Sequence, residues 1–216
     1  MPPLMQFQDS SCTLLDRYPE VFERSAALVP AGLVLSFGCS TGEEVRSLKL
    51  HNSAWEVHGV ERDPESLRAA LEVDPGGVYA ASVHELPAEG VGCYDLVFCM
   101  SVLCRFPPVD PEPYFSFGEF EVAIGVLDAS LAPGGVLVLW NAQYDFRETA
   151  QSEGYEVFDL GLERGLEGFA PDECLVGDPG SGFVSKYTRL GELLLEPVPL
   201  AFRKLFKGAL VENARP

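Results

Sequence analysis

Residues 33–48 read Leu-Val-Leu-Ser-Phe-Gly-Cys-Ser-Thr-Gly-Glu-Glu-Val-Arg-Ser-Leu, and this stretch decides the fold class of the chain. A short apolar run meets a glycine, and small residues lead to a second glycine, Gly42. Beyond it, the apolar residues Val45 and Leu48 stand three positions apart. The pattern predicts a buried strand, a tight turn and a helix N-terminus, which is the entry of a doubly wound α/β domain. Because backbone N–H groups at such a helix start attract polar or anionic atoms, we expect the turn to border a ligand site.

Apolar runs and helical patterns alternate through the rest of the chain. Strands are predicted at 33–37, 55–60, 78–81, 94–100 and 136–140, with helices that begin near Thr41, at Asp63 and at Phe117. The run Ala132-Pro133-Gly134-Gly135 is predicted to end the last of these helices. Further strands are expected at 155–160 and 198–206, and a small hairpin from 183–187 and 193–195. The fold class is therefore α/β, a single Rossmann-like, doubly wound and mostly parallel sheet with an antiparallel last strand.

The length of 216 residues suits one domain over 1–216. We expect its core at about 30–145, a helical cover at 1–30, and C-terminal strands with an irregular segment at 146–216. In the cover, Arg17, Tyr18 and Arg24 could reach over the site, although an ordinary packing and surface role is the favoured interpretation. A proline-dense loop, 107–113, is a candidate rim or lid.

The chain is strongly acidic, with 33 Asp and Glu against 15 Lys and Arg and a formal charge of −18. Such a surface repels nucleic acid and anionic membranes. No apolar run approaches the roughly 20 residues of a membrane span, and the N-terminus lacks a leader pattern. The six cysteines form no C-x-x-C pair, which favours reduced thiols and no metal site. We expect a cytoplasmic protein that binds neither nucleic acid nor membrane.

An acid stands at the carboxyl end of the second predicted strand. Glu61 follows Gly42 by nineteen residues. A carboxylate in this place can accept both hydroxyl hydrogens of a ribose. The alternative is a solvated charge at a strand end, but together with the glycine turn the acid favours a nucleoside ligand.

The glycine turn also distinguishes between nucleosides. A dinucleotide requires G-x-G-x-x-G, whereas Ser40 and Glu43 stand at the second and third glycine positions here. Glu43 would place a carboxylate beside a pyrophosphate at the helix start. S-adenosylmethionine has no phosphate and carries a sulfonium and an ammonium. The departure therefore favours S-adenosylmethionine over NAD, and an NAD-dependent reductase is the less favoured alternative.

Four segments together resemble class I S-adenosylmethionine-dependent methyltransferases. The run 35–44 is similar to the glycine motif of the chemotaxis-receptor glutamate methyltransferases, which share Gly-Cys-Ser-Thr-Gly-Glu-Glu. The segments 59–63, 94–99 and 131–137 resemble the family's ribose motif, its fourth strand and the entry to its fifth. Many family members carry an acid just before the glycine motif, where this chain has Ser36 and Phe37. It also lacks room for the helical N-terminal domain of the chemotaxis enzymes.

The resemblance implies a cofactor site at the carboxyl ends of the strands. The turn Gly38–Gly42 would lie along the methionine part, Glu61 would hold the ribose, and Met100 would stand near the methyl group. Arg62 would flank the adenine, and Val83 or His84 would meet its edge. The full set of expected cofactor-binding residues is Phe37, Gly38, Cys39, Ser40, Thr41, Gly42, Glu61, Arg62, Val83, His84 and Met100.

The methyl acceptor is not encoded in any motif. Methyl transfer is an in-line displacement that depends on positioning, so a missing catalytic signature is uninformative and the catalytic residues stay unknown. Arg105, Asn141 and Tyr144 follow the fourth and fifth predicted strands and are the candidates for the substrate side. We expect a methyltransferase that acts on a small molecule or a protein. The alternative is a non-catalytic nucleoside-binding or scaffold protein with the same fold.

Overall fold

The structure is a computed structural model that describes residues 7, 13–87, 92–104, 115–158, 160, 186–187, 193–194 and 201–205. Within these ranges the helices are α1 (Pro19–Leu28), α2 (Glu43–His51), α3 (Pro64–Val73) and α4 (Phe117–Ser130). The strands are β1 (Gly32–Phe37), β2 (Trp55–Val60), β3 (Val78–Ala80), β4 (Tyr94–Met100), β5 (Leu131–Trp140), β6 (Tyr155–Phe158), β7 (Lys186–Tyr187), β8 (Leu193–Leu194) and β9 (Ala201–Lys204). Short 3-10 turns lie at Val83–Glu85, Phe146–Glu148 and Ala150–Gly154.

Seven of the strands form one mixed sheet in the order β3-β2-β1-β4-β5-β9-β6. The strands β1 to β5 pair in parallel, and β9 is antiparallel to both of its neighbours. The predicted α/β class with an antiparallel last strand is therefore confirmed. The order reverses between β1 and β4, so their carboxyl ends border the crevice where such sheets bind ligands.

Both faces of the sheet are covered, and each face has its own apolar cluster. One cluster joins α4 to side chains such as Leu35, Val97 and Leu137. The other joins α1 and α2 to alternate side chains such as Val34 and Phe98. This alternation explains why β1, β4 and β5 are apolar on both faces.

The helix that follows β2 begins as the sequence predicts. Asp63 is its N-cap, and its Oδ2 accepts a hydrogen bond from Ser66 N at 2.8 Å, with Pro64 in the first turn. This capped start of α3 fixes the segment directly after β2, which contains Glu61, the acid predicted to bind a ribose.

One boundary differs from the prediction, because β5 begins at Leu131 and not at Val136. Leu131 pairs with Tyr94, and the register then shifts before Leu96 pairs with Val136. The intervening residues, with Gly134 at φ +85°, form an irregularity inside the strand. Gly134 and Gly135 therefore lie within β5, in its irregular part. The sequence pattern predicted that they end the preceding helix.

The C-terminal predictions hold where the structure describes them. The segment Tyr155–Phe158 is a strand, β9 lies inside the predicted 198–206, and β7 pairs with β8 in antiparallel fashion. The proline-dense loop 107–113 and the irregular segment 161–182 lie outside the described residues.

Candidate functional site

The carboxyl edge of the sheet carries three unusual backbone conformations. Ser40 follows β1, Ser101 follows β4 and Asn141 follows β5, and their φ angles are +50°, +57° and +60°. Residues other than glycine seldom adopt this left-handed region, and each costs of order 1 kcal/mol. Such conformations cluster at ligand sites, so their position at the ends of three adjacent strands marks this edge as the candidate site.

The backbone of the turn between β1 and α2 packs closely against the end of β2 and against Val102. The N–H groups of Gly38 and Cys39 both donate to the carbonyl of Val60, at 2.8 and 3.0 Å, which draws the turn against the end of β2. Gly38 has φ +76°, and a Cβ there would lie 2.5 Å from a methyl carbon of Val102. Only glycine fits this position, and the backbone therefore comes close to whatever occupies the crevice.

Glu61 joins the turn to the start of α3. Its Oε2 accepts a hydrogen bond from Ser40 N at 2.8 Å, and its Oε1 accepts one from Asp63 N at 2.8 Å. Two backbone donors therefore fix the carboxylate at the carboxyl end of β2, where the side chain is half-buried. A carboxylate oxygen has lone pairs for more than one donor, so the same group can also accept hydroxyl hydrogens from a ligand.

A second carboxylate lies buried in the first turn of α2. Glu44 is 9% exposed, and Ser36 Oγ donates to its Oε1 at 2.7 Å. Burial raises the pKa of this carboxyl to about 7, against the lowering effects of the Ser36 hydrogen bond and the nearby Arg17 guanidinium. The hydrogen bond from Ser36 ties the first turn of α2 to the end of β1.

A chain of polar side chains spans the ends of β4 and β5. The hydroxyls of Tyr18 and Ser101 are 2.9 Å apart, and Asn141 Nδ2 donates to Ser101 Oγ at 3.2 Å. Tyr18 is the N-cap residue of α1 and is 4% exposed. The N-terminal segment therefore does reach the strand ends, and Arg17 lies with its guanidinium 5.2 Å from the centre of the Tyr18 ring.

The other predicted cofactor residues fall into two groups. Phe37, Cys39, Val83 and Met100 are buried at the strand ends, whereas Arg62 and His84 are exposed beside them. Burial, with the carboxylates of Glu61 and Glu44 nearby, raises the pKa of the Cys39 thiol well above its usual value. That thiol is therefore protonated at neutral pH and serves packing.

The three substrate-side candidates have different surroundings. Asn141 belongs to the polar chain described above. Tyr144 is 3% exposed, and its hydroxyl donates to the Phe115 carbonyl at 2.5 Å within an aromatic cluster. Arg105 lies outside the described residues. The substrate role of all three stays a prediction.

In the described part of the chain, no helix is long and apolar enough to cross a membrane. In the same residues, His, Cys, Asp and Glu form no group of three that is suited to a metal ion.

Comparison with known proteins assigns a family to this site. The family model described as "Methyltransferase domain" matches residues 35–137, from the middle of β1 into β5, which includes the glycine turn, Glu61 and the end of β4. Residues 35–137 are thus similar to a methyltransferase domain. This match supports the class I S-adenosylmethionine-dependent methyltransferase predicted from the motifs, and no curated protein matches the chain.

Three solved structures are similar to this chain. CalS10, an amino pentose methyltransferase from Micromonospora echinaspora with bound S-adenosylmethionine, is 24% identical, with 68% of this chain and 59% of that chain covered and a TM-score of 0.47. DesVI of Streptomyces venezuelae is 17% identical, with 66% and 57% covered and a TM-score of 0.43. PH0226 of Pyrococcus horikoshii is 17% identical, with 62% and 60% covered and a TM-score of 0.42. The chain thus matches about three fifths of the length of each.

Two site groups were not predicted from the sequence. Glu44 has a readable signal, since it stands four residues before Leu48 and so lies on the same buried face of α2. The contact between Tyr18 and Ser101 joins residues 83 positions apart, and no local pattern indicates it.

Proposed function

We propose that this protein transfers the methyl group of S-adenosylmethionine to an acceptor bound over the carboxyl ends of β4 and β5. The observation that carries the proposal is the fixed Glu61 carboxylate beside the glycine turn of a methyltransferase domain. Its two backbone hydrogen bonds hold it where a ribose would meet the end of β2. The other expected contacts are the turn Gly38–Gly42 along the methionine part, Met100 near the methyl group, and Arg62, Val83 and His84 around the adenine.

The residues around the turn fit the zwitterionic end of the cofactor. The Glu44 carboxylate lies under the turn and is a partner for the methionine ammonium. Arg17, close enough to Glu44 to lower its pKa, is a partner for the methionine carboxylate. Both charges of the methionine end thereby find an opposite charge, at a buried Glu44 and a half-buried Arg17, where such pairs are worth more than at an exposed surface.

The acidic residues at the start of α2 disfavour the binding of a dinucleotide. Glu43 stands in the first turn of α2, where Thr41 Oγ1 donates to its Oε2 at 2.6 Å. With Glu44 beside it, two acids occupy the helix start that a pyrophosphate would need. This arrangement favours S-adenosylmethionine over NAD.

When bound, S-adenosylmethionine supplies an electrophilic methyl group with thioether sulfur as the leaving group. The chain's contribution is positioning: Glu61 and the turn fix the nucleoside, and Glu44 and Arg17 fix the methionine end. Held near-attack geometry accounts for much of the rate of such displacements. We further propose a small-molecule or protein acceptor, a cytoplasmic location, and one domain over 1–216; the acidity of the chain disfavours nucleic acid.

The first experiment is calorimetric titration with S-adenosylhomocysteine, which is expected to bind. Replacing Glu61 by Ala should weaken binding at least about tenfold, because each hydrogen bond to a charged group is worth about 1.5–3 kcal/mol. Glu56→Ala is the matched control, since Glu56 lies on the same strand with a side chain that is 74% exposed. No binding by the unaltered protein would overturn the proposal.

Glu61 also holds the turn, so its direct contact with ribose needs a separate test. The ligand 2′-deoxy-S-adenosylhomocysteine lacks one of the two hydroxyl hydrogens. If Glu61 accepts that hydrogen, the unaltered protein should bind the deoxy ligand about tenfold more weakly, and Glu61→Ala should bind both ligands alike. An equal deoxy penalty in both proteins would remove Glu61 from the ribose site.

A further inference from the structure

We infer that Tyr18, Ser101 and Asn141 form a polar wall, named here by these three residues, that faces the transferred methyl group and holds an amine acceptor against it. The inference rests on the proposed function and adds the acceptor's chemical class and the residues that position it. None of the three is assigned a role by the family motifs.

The backbone places the wall beside the methyl position. Ser101 directly follows Met100 at the end of β4, and Ser101 N donates to the carbonyl of Trp140 at 2.8 Å. Asn141 directly follows Trp140, so the two wall residues stand on adjacent strands at the same level. The order reversal lies between β4 and β1, which puts the wall across the crevice from the glycine turn.

Two residues of the wall are polar, although glycine would adopt their backbone conformations at a lower steric cost. Ser101 and Asn141 hold φ angles of +57° and +60°, a region in which glycine has no steric cost. Asn tolerates this conformation better than most residues, but Ser does not share that tolerance to the same degree. The strain is offset here by the hydrogen bond from Asn141 Nδ2 to Ser101 Oγ. This arrangement keeps a hydroxyl and an amide at a half-buried edge where ligands bind.

Tyr18 completes the wall from the N-terminal segment. Its hydroxyl lies 2.9 Å from Ser101 Oγ, and its ring packs against Phe22 and Trp140, with centroids 6.2 and 6.0 Å away. Burial raises the pKa of Tyr18 to about 12. The phenol therefore stays protonated at neutral pH, so the wall orients an acceptor and does not remove its proton.

Neutral oxygen atoms and aromatic faces suit an amine. The Tyr18 and Ser101 oxygens can accept N–H hydrogen bonds, and the ring of Trp140 favours a positively charged group nearby. The formal charge of −18 also raises the local concentration of cations. In the transfer, the amine lone pair forms the N–C bond as the C–S bond breaks and its electron pair goes to sulfur. The amine enters unprotonated after losing its proton to water, and the N-methylammonium product leaves.

The test compares two ligands that differ only at the reacting centre. S-adenosylhomocysteine has a bare thioether there, whereas sinefungin has a carbon bearing an ammonium group. We expect Tyr18→Phe and Ser101→Gly each to weaken sinefungin binding about tenfold, which corresponds to about 1.4 kcal/mol, and to leave S-adenosylhomocysteine within about twofold. Ser101→Gly removes the hydroxyl and relieves the backbone strain, so it keeps the test valid if Tyr18→Phe perturbs the N-terminal segment.

Tyr155→Phe is the matched control, because this Tyr bonds to Asp128 on α4 and not to the site. It should change neither affinity. Equal losses for both ligands in the wall variants, or no loss for either, would overturn the inference while the proposed function stands. Failure of the unaltered protein to bind either ligand would overturn both.

Discussion

At the scale of single residues, Glu44 is a carboxyl whose burial is unusual for its place at the start of a helix. It is a carboxyl in the first turn of a surface helix, yet it is buried and accepts a hydrogen bond from Ser36. The raised pKa of about 7 follows from the loss of water around the charged form. A bound ammonium would compensate for that loss.

The pH dependence of cofactor binding follows from this pKa. The ligand ammonium favours the ionised carboxylate, so S-adenosylhomocysteine should bind more tightly as the pH rises from about 6 to about 8. Glu44→Gln keeps the size and the hydrogen bond from Ser36 but cannot ionise. Its affinity should be weaker at pH 8 and flat across this range in calorimetric titrations. A parallel pH profile in the variant would exclude Glu44 as the ammonium partner.

The same group links folding to pH in the absence of ligand. The pKa of Glu44 is about 7 in the folded protein against 4.5 for an exposed carboxyl, so the folded state binds more protons between these values. The free energy of unfolding should therefore fall as the pH rises through this window, by about 2–3 kcal/mol from this group. Urea unfolding at both ends of the window measures it. Glu44→Gln should remove this part of the slope, and an unchanged slope would contradict the assignment.

At the scale of elements, sequence reasoning succeeds where one local pattern decides the structure. The strands Trp55–Val60 and Tyr94–Met100 have the predicted bounds. In the second of them, the apolar run from Leu96 to Met100 is the local signal, because burial on both faces requires such a run. The cap at Asp63 is likewise local. The start of β5 was missed because Leu131 pairs with Tyr94, a partner that the local glycine signal does not report.

The candidate site likewise has a part that a local sequence pattern predicts and a part that it does not. Glu61 was predicted because its spacing from the glycine turn is fixed by one strand-helix-strand unit. The wall of Tyr18, Ser101 and Asn141 was not predicted as a unit, since its parts come from three elements that meet only in the folded protein. Asn141 was named separately, from its place after a strand, and Tyr18 was named as a residue of the N-terminal cover.

Helix α4 offers an element whose stability can be changed without touching the site. Ser116 and Glu119 form a capping box, in which Ser116 Oγ accepts from Glu119 N and the Glu119 carboxylate accepts from Ser116 N at 2.7 Å. Ser116→Ala should lower the free energy of unfolding by about 1 kcal/mol. Thermal unfolding measures this loss, and Gly118→Ala in the same helix is the opposite comparison, which should raise the stability because alanine favours a helix more than glycine does. A changed affinity for S-adenosylhomocysteine would show that α4 is coupled to the site.

At the scale of the whole molecule, the last described strand lies inside the sheet. Residues Ala201–Lys204 insert between β5 and β6 and pair with both. Lys204 also donates to the carbonyl of Asp128 at 2.6 Å and so satisfies the C-terminal end of α4. We therefore expect the matched segment 35–137 to depend on the chain beyond it, because without β9 the edge of β5 is unpaired.

Phe202 tests this dependence directly. It is fully buried, and its ring centroid lies 4.3 Å from that of Phe146, a second buried aromatic residue after β5. Phe202→Ala should lower the free energy of unfolding by about 3–5 kcal/mol, since it removes a large side chain from a packed core. Val157→Ala on the neighbouring strand is the control, because Val157 is 48% exposed and should cost little. If the sheet is one cooperative unit, chemical denaturation of Phe202→Ala shows a single transition at lower denaturant, with binding of S-adenosylhomocysteine lost in the same transition. Retained binding after a first, separate transition would show that the segment 35–137 folds without β9.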